Sequence, residues 1–348
     1  MHALAYVRHR VAGYVKYGCA LKAKRLEKCA PVAAIAIAVV LSTHAIRAYG
    51  AAALAVAFYI GKGFERVFHV GPSCDDVEVL SDGTVRWKDA PEYKISYRKV
   101  CVFVGDSLTT GSVSDDWVSR VQSRNPRVMC IREARNGDLS INAISRAPRI
   151  KELARKCKAS NVPFATVVLI GANDLIAATS KHMLENYRVN KGWMRKDAPT
   201  LATLESALVS LLDALVPLGT GTLFLSPPGL GEALPVDGDG SFLAAFPRAY
   251  RAAVARCDAK ASIVSVDLRA EMSALVGKDA LKDAVPFSAK TFEVCTVVSV
   301  LRHWFLGDSW DKIGASRGLY YTHDLVHLTS VGGEVVAQCA NAFLAKVF

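Results

Sequence analysis

Five short runs of apolar, largely β-branched residues punctuate the chain from position 100 onward: Val100–Val104, Val128–Ile131, Ala165–Ile170, Gly221–Leu225 and Ile263–Val266. Each is too short for a helix and apolar throughout rather than alternating, the pattern of a strand buried on both faces. Between them, apolar positions recur at three- and four-residue spacing. Thr203–Val216 sets Leu204, Leu208, Leu211, Leu212 and Leu215 on one face, and Phe242–Cys257 and Ser330–Phe348 follow the same rule. Strands separated by crossover helices predict an α/β domain over residues 99–348, a five-stranded parallel sheet with helices on both faces. Two connections exceed what a crossover needs, residues 176–199 and 273–320, the second containing the apolar run Val294–Leu306. Long excursions of this kind serve as lids or substrate walls, or as decoration without a role.

Ahead of the domain the pattern changes. Val77–Leu80, Ser81-Asp82-Gly83 and Thr84–Trp87 predict a small hairpin with a glycine loop, set within a mixed, polar linker over 61–98. Earlier still, Ala30–Ser42 and Ala48–Ile60 are two apolar stretches of 13 residues, separated by Thr43, His44 and Arg47. Either alone falls short of the roughly 20 residues a bilayer span needs, whereas the two as one tilted helix would span it, with Arg47 near the middle. Residues 1–29 form a basic tail: seven Lys/Arg and one acid lie within the first 28 positions, a net +6 of the chain's +11. A basic tail before an apolar segment over 30–60 predicts a membrane-associated helical anchor of the endomembrane or ER type. A mitochondrial presequence, or a helix buried in a soluble protein, remains an alternative. Because the charge excess sits in the tail, the domain does not have the composition of a nucleic-acid binder.

Nine cysteines include no Cys-x-x-Cys pair, and no Asn-x-Ser/Thr sequon occurs. A zinc ribbon, a thioredoxin-type motif and a disulfide-stapled secreted scaffold are therefore unsupported, no metal-binding cluster stands out, and no cofactor is called for.

The chemistry gathers after the predicted strands. The first strand stops at Gly105 and delivers Asp106 and Ser107 to the carboxyl end of the sheet, on a turn expected to expose the Ser107 hydroxyl. Arg135-Asn136-Gly137-Asp138-Leu139-Ser140 follows the second strand and Gly171-Ala172-Asn173-Asp174-Leu175 the third. Before the last helix comes His323-Asp324-Leu325-Val326-His327, an Asp-x-x-His spacing that lets a carboxylate reach the imidazole. Gly105-Asp106-Ser107-Leu108 with these later blocks, in this order, resembles the GDSL or SGNH hydrolases. The resemblance covers about residues 99–348, and Ser226-Pro227-Pro228-Gly229-Leu230-Gly231 is similar to a loop in esterase-like members.

The resemblance implies a flavodoxin-like three-layer α/β/α sandwich and a serine hydrolase of carboxylic esters. Ser107 would attack, His327 serve as base and Asp324 orient it, with the Ser107 N–H, Gly137 and Asn173 as oxyanion donors. The second block departs from the family's Asn-x-Gly-x-Ser-Gly, with Arg135, Leu139 and Ser140 at the first, fifth and sixth places, so the shape of that loop is open. An apolar anchor and the apolar run 294–306 suggest a lipid or lysophospholipid ester, a small-molecule ester being the simpler case. The same residues would serve an acyltransferase, and a membrane-tethered binding protein could keep the fold without the chemistry.

Other motifs fare worse. Gly314-Ala315-Ser316-Arg317-Gly318 has the nucleophile-elbow spelling but no strand before it. Gly307-Asp308-Ser309 repeats the tripeptide outside any strand context, and no Lys-Ser/Thr follows Gly111 to make a phosphate loop. His323 lacks a carboxylate three positions earlier and reads as a loop histidine. Asp106 and Asp174 read as caps or loop hydrogen-bonding groups.

Overall fold

The computed structural model describes residues 73–88, 96–191, 199–233, 242–258, 260–277, 281 and 284–348. The basic tail and the apolar segment 30–60 lie outside the described residues. Within them the order is β1 (Val77–Val79), β2 (Val85–Trp87), β3 (Lys99–Gly105), α1 (Ser107–Thr110), α2 (Trp117–Arg124), β4 (Val128–Ala134), α3 (Ser140–Ile144) and α4 (Ala147–Ala159). Next come β5 (Phe164–Leu169), α5 (Ala172–Thr179), α6 (Lys181–Lys191), α7 (Leu201–Leu215), β6 (Thr222–Ser226) and α8 (Phe242–Arg256). The chain ends with β7 (Ile263–Asp267), α9 (Leu268–Val276), α10 (Ala289–Leu306), α11 (Trp310–Ala315) and α12 (Ser330–Val347).

The five predicted strands form one parallel sheet in the order β4-β3-β5-β6-β7. β3 lies between β4 and β5, and Val100 to Val104 are each 0% exposed, which is why its sequence is apolar without alternation. The connection from β3 to β4 runs one way along the sheet and all later ones run the other. Right-handed crossovers then put α2 on one face and α3, α4, α7 and α8 on the opposite face. The packing agrees: α2 lies against α12, and α7 lies against α3, α4 and α8. The reversal of direction falls beside β3, and at such a switch point the loops beyond the strand ends diverge and leave a crevice. Ser107 follows β3 directly, at this end of the sheet.

β1 and β2 form the predicted antiparallel hairpin, with Glu78 opposite Arg86. The segment before β1 docks on edge strand β4, where the Cys74 N–H donates to the buried Glu133 carboxylate at 2.9 Å. β7 departs from the expectation of a fully buried strand. It is the far edge, pairs only with β6, and Val264 is 37% exposed. Among the described residues one helical stretch, Leu201–Leu218, is long and apolar enough to cross a membrane. Its leucines 204, 208, 211, 212 and 215 are buried against the sheet and its neighbours, as a crossover helix requires. The excursions are helical: α5 and α6 fill most of the first, and α10 and α11 much of the second.

Candidate active site

The last residue of β3 is Gly105, where a side chain has no room. A Cβ would overlap Thr109 Oγ1 and come within 2.5 Å of the Leu169 carbonyl of β5. Asp106 then caps α1, its carboxylate accepting the Leu108 N–H at 3.0 Å, so Ser107 is the first residue of a helix rather than part of an open loop. This corrects the expected exposed hydroxyl: Ser107 is 5% exposed.

The Ser107 Oγ lies 2.9 Å from His327 Nε2, and His327 Nδ1 lies 2.7 Å from Asp324 Oδ2. With Asp324 ionised, Nδ1–H donates to the carboxylate and the Nε2 lone pair faces the serine hydroxyl. The Asp324–His327 segment is a bent loop rather than a helical turn. Asp324 Oδ1 accepts the N–H groups of Val326 (3.1 Å) and His327 (2.8 Å), and Leu325 adopts φ 82°. That left-handed conformation is unfavourable for a branched residue. It is fixed by burial of Leu325 and by its carbonyl accepting the Gly231 N–H at 2.7 Å.

Electrostatics set the pair for proton transfer. Burial alone would raise the Asp324 pKa, but His327 and the hydrogen bonds from His327 and Thr296 outweigh it and hold the carboxyl below its usual range. Burial alone would lower His327, and the Asp324 carboxylate outweighs it, so the imidazole is raised above 6.5. Asp106 adds to that raise; its own carboxyl is pushed up to about 7 by burial.

The two expected oxyanion loops flank the serine. Gly137 takes φ 73°, a conformation that favours glycine. The N–H groups of Ser107 and Gly137 donate to no other group among the described residues. Asn173 is oriented by Tyr187, whose hydroxyl donates to Asn173 Oδ1 at 2.5 Å. The Asn173 amide donates to the Asp138 carbonyl at 2.9 Å and approaches Asp106 Oδ2 at 3.3 Å. The departures in the second block have local work: Leu139 is a fully buried apolar residue, and Ser140 donates through N–H and hydroxyl to Asp174 at 2.9 and 3.1 Å. Buried Asp174 is pushed up to about 6, and its hydrogen-bonding role is the one expected. Arg146 ties the loops together, pairing with Asp138 and donating to the Gly105 carbonyl at 2.9 Å.

Four contributors were not legible beforehand. Thr296 of α10 donates to Asp324 Oδ2 at 2.7 Å, and Phe292 packs its ring 5.9 Å from that of His327. Tyr187 comes from α6. Glu232, 0% exposed, accepts the N–H groups of Tyr320, Tyr321 and Thr322 at 2.7–2.8 Å and the Thr322 hydroxyl at 2.9 Å. Phe292 and Thr296 are four positions apart within one excursion, the sole sequence signal for their shared face.

His323 lies in the loop between α11 and α12, as expected, but it is not solvent-facing. It is 0% exposed and stacked on Trp310 with ring centroids 4.3 Å apart. Its Nε2 faces the Val113 carbonyl at 2.9 Å, which only accepts, so Nδ1 bears the lone pair, 3.8 Å from Asp324 Oδ2. Burial pushes its pKa down to about 4. His323, Asp324 and His327 thus offer three ligand-type atoms within 4.8 Å of one another, a grouping not anticipated from the sequence. The His327 and Asp324 atoms in it are already bonded to each other.

The decoys resolve locally. Ser316 ends α11, donating to the Ile313 carbonyl and accepting from Arg302, and Ser309 caps the same helix. Among the described residues no strand leads directly into either.

The chain matches the protein-family model described as GDSL-like Lipase/Acylhydrolase over residues 101–340. Among solved structures, the acetyl xylan esterase AlAXEase is 15% identical, covering 72% of this chain and 100% of its own, with TM-score 0.43. Axe2, an acetylxylan esterase from Geobacillus stearothermophilus, is 16% identical over 73% of this chain and 96% of its own, TM-score 0.39. A putative acylhydrolase from Bacteroides fragilis is 17% identical over 81% and 94%, TM-score 0.39. No curated protein matches the chain.

Proposed function

The chain belongs to the GDSL-like lipase/acylhydrolase family and is an ester-hydrolysing enzyme, and from that premise we propose that Ser107, His327 and Asp324 hydrolyse a carboxylic ester through an acyl-enzyme. The observation that carries the reading is the unbroken relay Ser107 Oγ–His327 Nε2, His327 Nδ1–Asp324 Oδ2, at 2.9 and 2.7 Å. His327 takes the serine proton as Oγ bonds to the ester carbonyl carbon. The oxyanion lies toward the unpaired N–H groups of Ser107 and Gly137, and the Asn173 amide joins them by giving up its 3.3 Å hydrogen bond to Asp106 Oδ2. Collapse expels the alcohol, protonated by the imidazolium, and leaves the acyl group on Ser107. Water, deprotonated by His327, then releases the acid and restores the serine. Asp324 stays ionised and compensates the imidazolium.

The basic tail and the apolar segment 30–60 support a reading in which residues 1–60 tether the domain over 99–348 to a membrane, of the endomembrane type, through the linker 61–98.

The test is hydrolysis of p-nitrophenyl esters of increasing chain length by full-length protein, wild type beside Ser107→Ala, with and without an alcohol acceptor. Wild-type turnover should fall by about four to six orders of magnitude in the variant, as for other serine hydrolases stripped of their nucleophile. Acceptor-dependent ester formation outpacing hydrolysis would assign an acyltransferase, and background rates in both proteins would remove the catalytic reading.

A further inference from the structure

Helix α10 touches the candidate active site with one face and leaves an apolar face uncovered. At about 100° per residue, Phe292, Thr296, Ser299 and His303 share the inner side. Phe292 lies on His327, Thr296 on Asp324, and Ser299 accepts from Arg317 at 2.7 Å. Val294, Val297, Val298, Leu301 and Trp304 share the opposite side. There Val294 is 56% exposed, Val297 37%, Val298 40% and Trp304 41%. An apolar helix of a soluble protein turns its second face polar; one apolar all round is normally buried or in lipid. Here the outer stripe contains no acid, and Lys290 at its start is exposed. The acid at its margin, Glu293, is occupied by His182 of α6 at 3.1 Å, with exposed Lys181 next to it.

We propose that the outer face of α10 is a docking surface for an anionic lipid bilayer, and that the enzyme draws its ester substrates from that bilayer. The proposal rests on the serine-hydrolase reading above. Three features select lipid over a protein partner. The exposed cations beside the stripe complement anionic headgroups. Trp304 at its end has the amphipathic ring favoured at the membrane interface. The same chain carries, in residues 1–60, a +6 tail and an apolar segment suited to holding the domain at a membrane. Seating the outer face in lipid sets the inner face, and with it Asp324 and His327, within one helix diameter of the acyl chains. The substrate class is then esters of long-chain acids held in a bilayer, with the acyl chain entering beside α10.

The experiment uses full-length protein with vesicles of phosphatidylcholine and phosphatidylserine, with and without bromine on the acyl chains. Bromolipid should quench tryptophan emission in the wild type and measurably less in Trp304→Phe, the difference isolating Trp304 from the chain's other four tryptophans. Val297→Ser/Val298→Ser should lower hydrolysis of a vesicle-borne long-chain ester by about tenfold, the loss expected when two valines only 37% and 40% exposed give up their contact with lipid. Its kcat/KM on p-nitrophenyl acetate should match wild type. Equal quenching in wild type and Trp304→Phe would overturn the proposal. So would Trp304 already shielded from acrylamide without vesicles, because a segment of the same chain or a second copy would then cover the face. If no Ser107-dependent hydrolysis were found, the quenching would still report docking, so the two readings fail separately.

Discussion

At the scale of single residues, the site is a set of buried charges arranged so that one imidazole titrates in a useful range. His327 is pulled down by burial and pushed up by Asp324, with a smaller push from Asp106, and the balance leaves it above 6.5. As a base it must be neutral, so kcat/KM should fall as pH drops through a midpoint above 6.5. Asp106→Asn should keep the cap on α1, asparagine being as good a cap as aspartate. It removes a negative charge that raises His327, so the acid limb of the pH–rate profile should move to lower pH. A limb that stays put or moves up would show that Asp106 does not act on His327. Leu325 illustrates the same economy in the backbone: a strained turn is held by burial and one hydrogen bond so that Asp324 and His327 face each other.

At the scale of elements, the strands bring the nucleophile and oxyanion loops together, whereas connections hold the base. The loop after β6 reaches across with Glu232, whose two carboxylate oxygens gather three consecutive N–H groups from Tyr320 to Thr322. Glu232→Gln replaces one acceptor with a donor facing those donors. It should destabilise the protein by about 1–3 kcal/mol. Because the clamp sits next to the Asp324–His327 loop, kcat should fall while KM for a short soluble ester changes little. Thermal denaturation with steady-state kinetics reads both. Stability lost with kcat intact would make Glu232 purely structural. The excursions act in the same way, α6 through Tyr187 on Asn173 and α10 through Thr296 on Asp324.

At the scale of the molecule, what was legible in the sequence was what local rules govern. Buried parallel strands read as unbroken apolar runs, so all five emerged, with β7 misjudged only in burial because nothing local marks an edge strand. The blocks around Ser107, Gly137, Asn173 and Asp324–His327 sit directly after strands or before the last helix, and the sheet order then gathers them at β3. What escaped depends on distance along the chain. Glu232 and Thr322 are 90 positions apart and Thr296 and Asp324 are 28 apart, and no spacing rule connects such pairs. The burial of His323 escaped for the same reason, since it comes from Trp310 and Val113 rather than from its chain neighbours. The central claim, that Ser107 is the nucleophile activated by His327, is tested most directly by covalent labelling with a fluorophosphonate followed by peptide mapping. One label per chain on Ser107, lost in His327→Ala, is the predicted result. A label on Ser309 or Ser316, or none on folded wild-type protein, would contradict it.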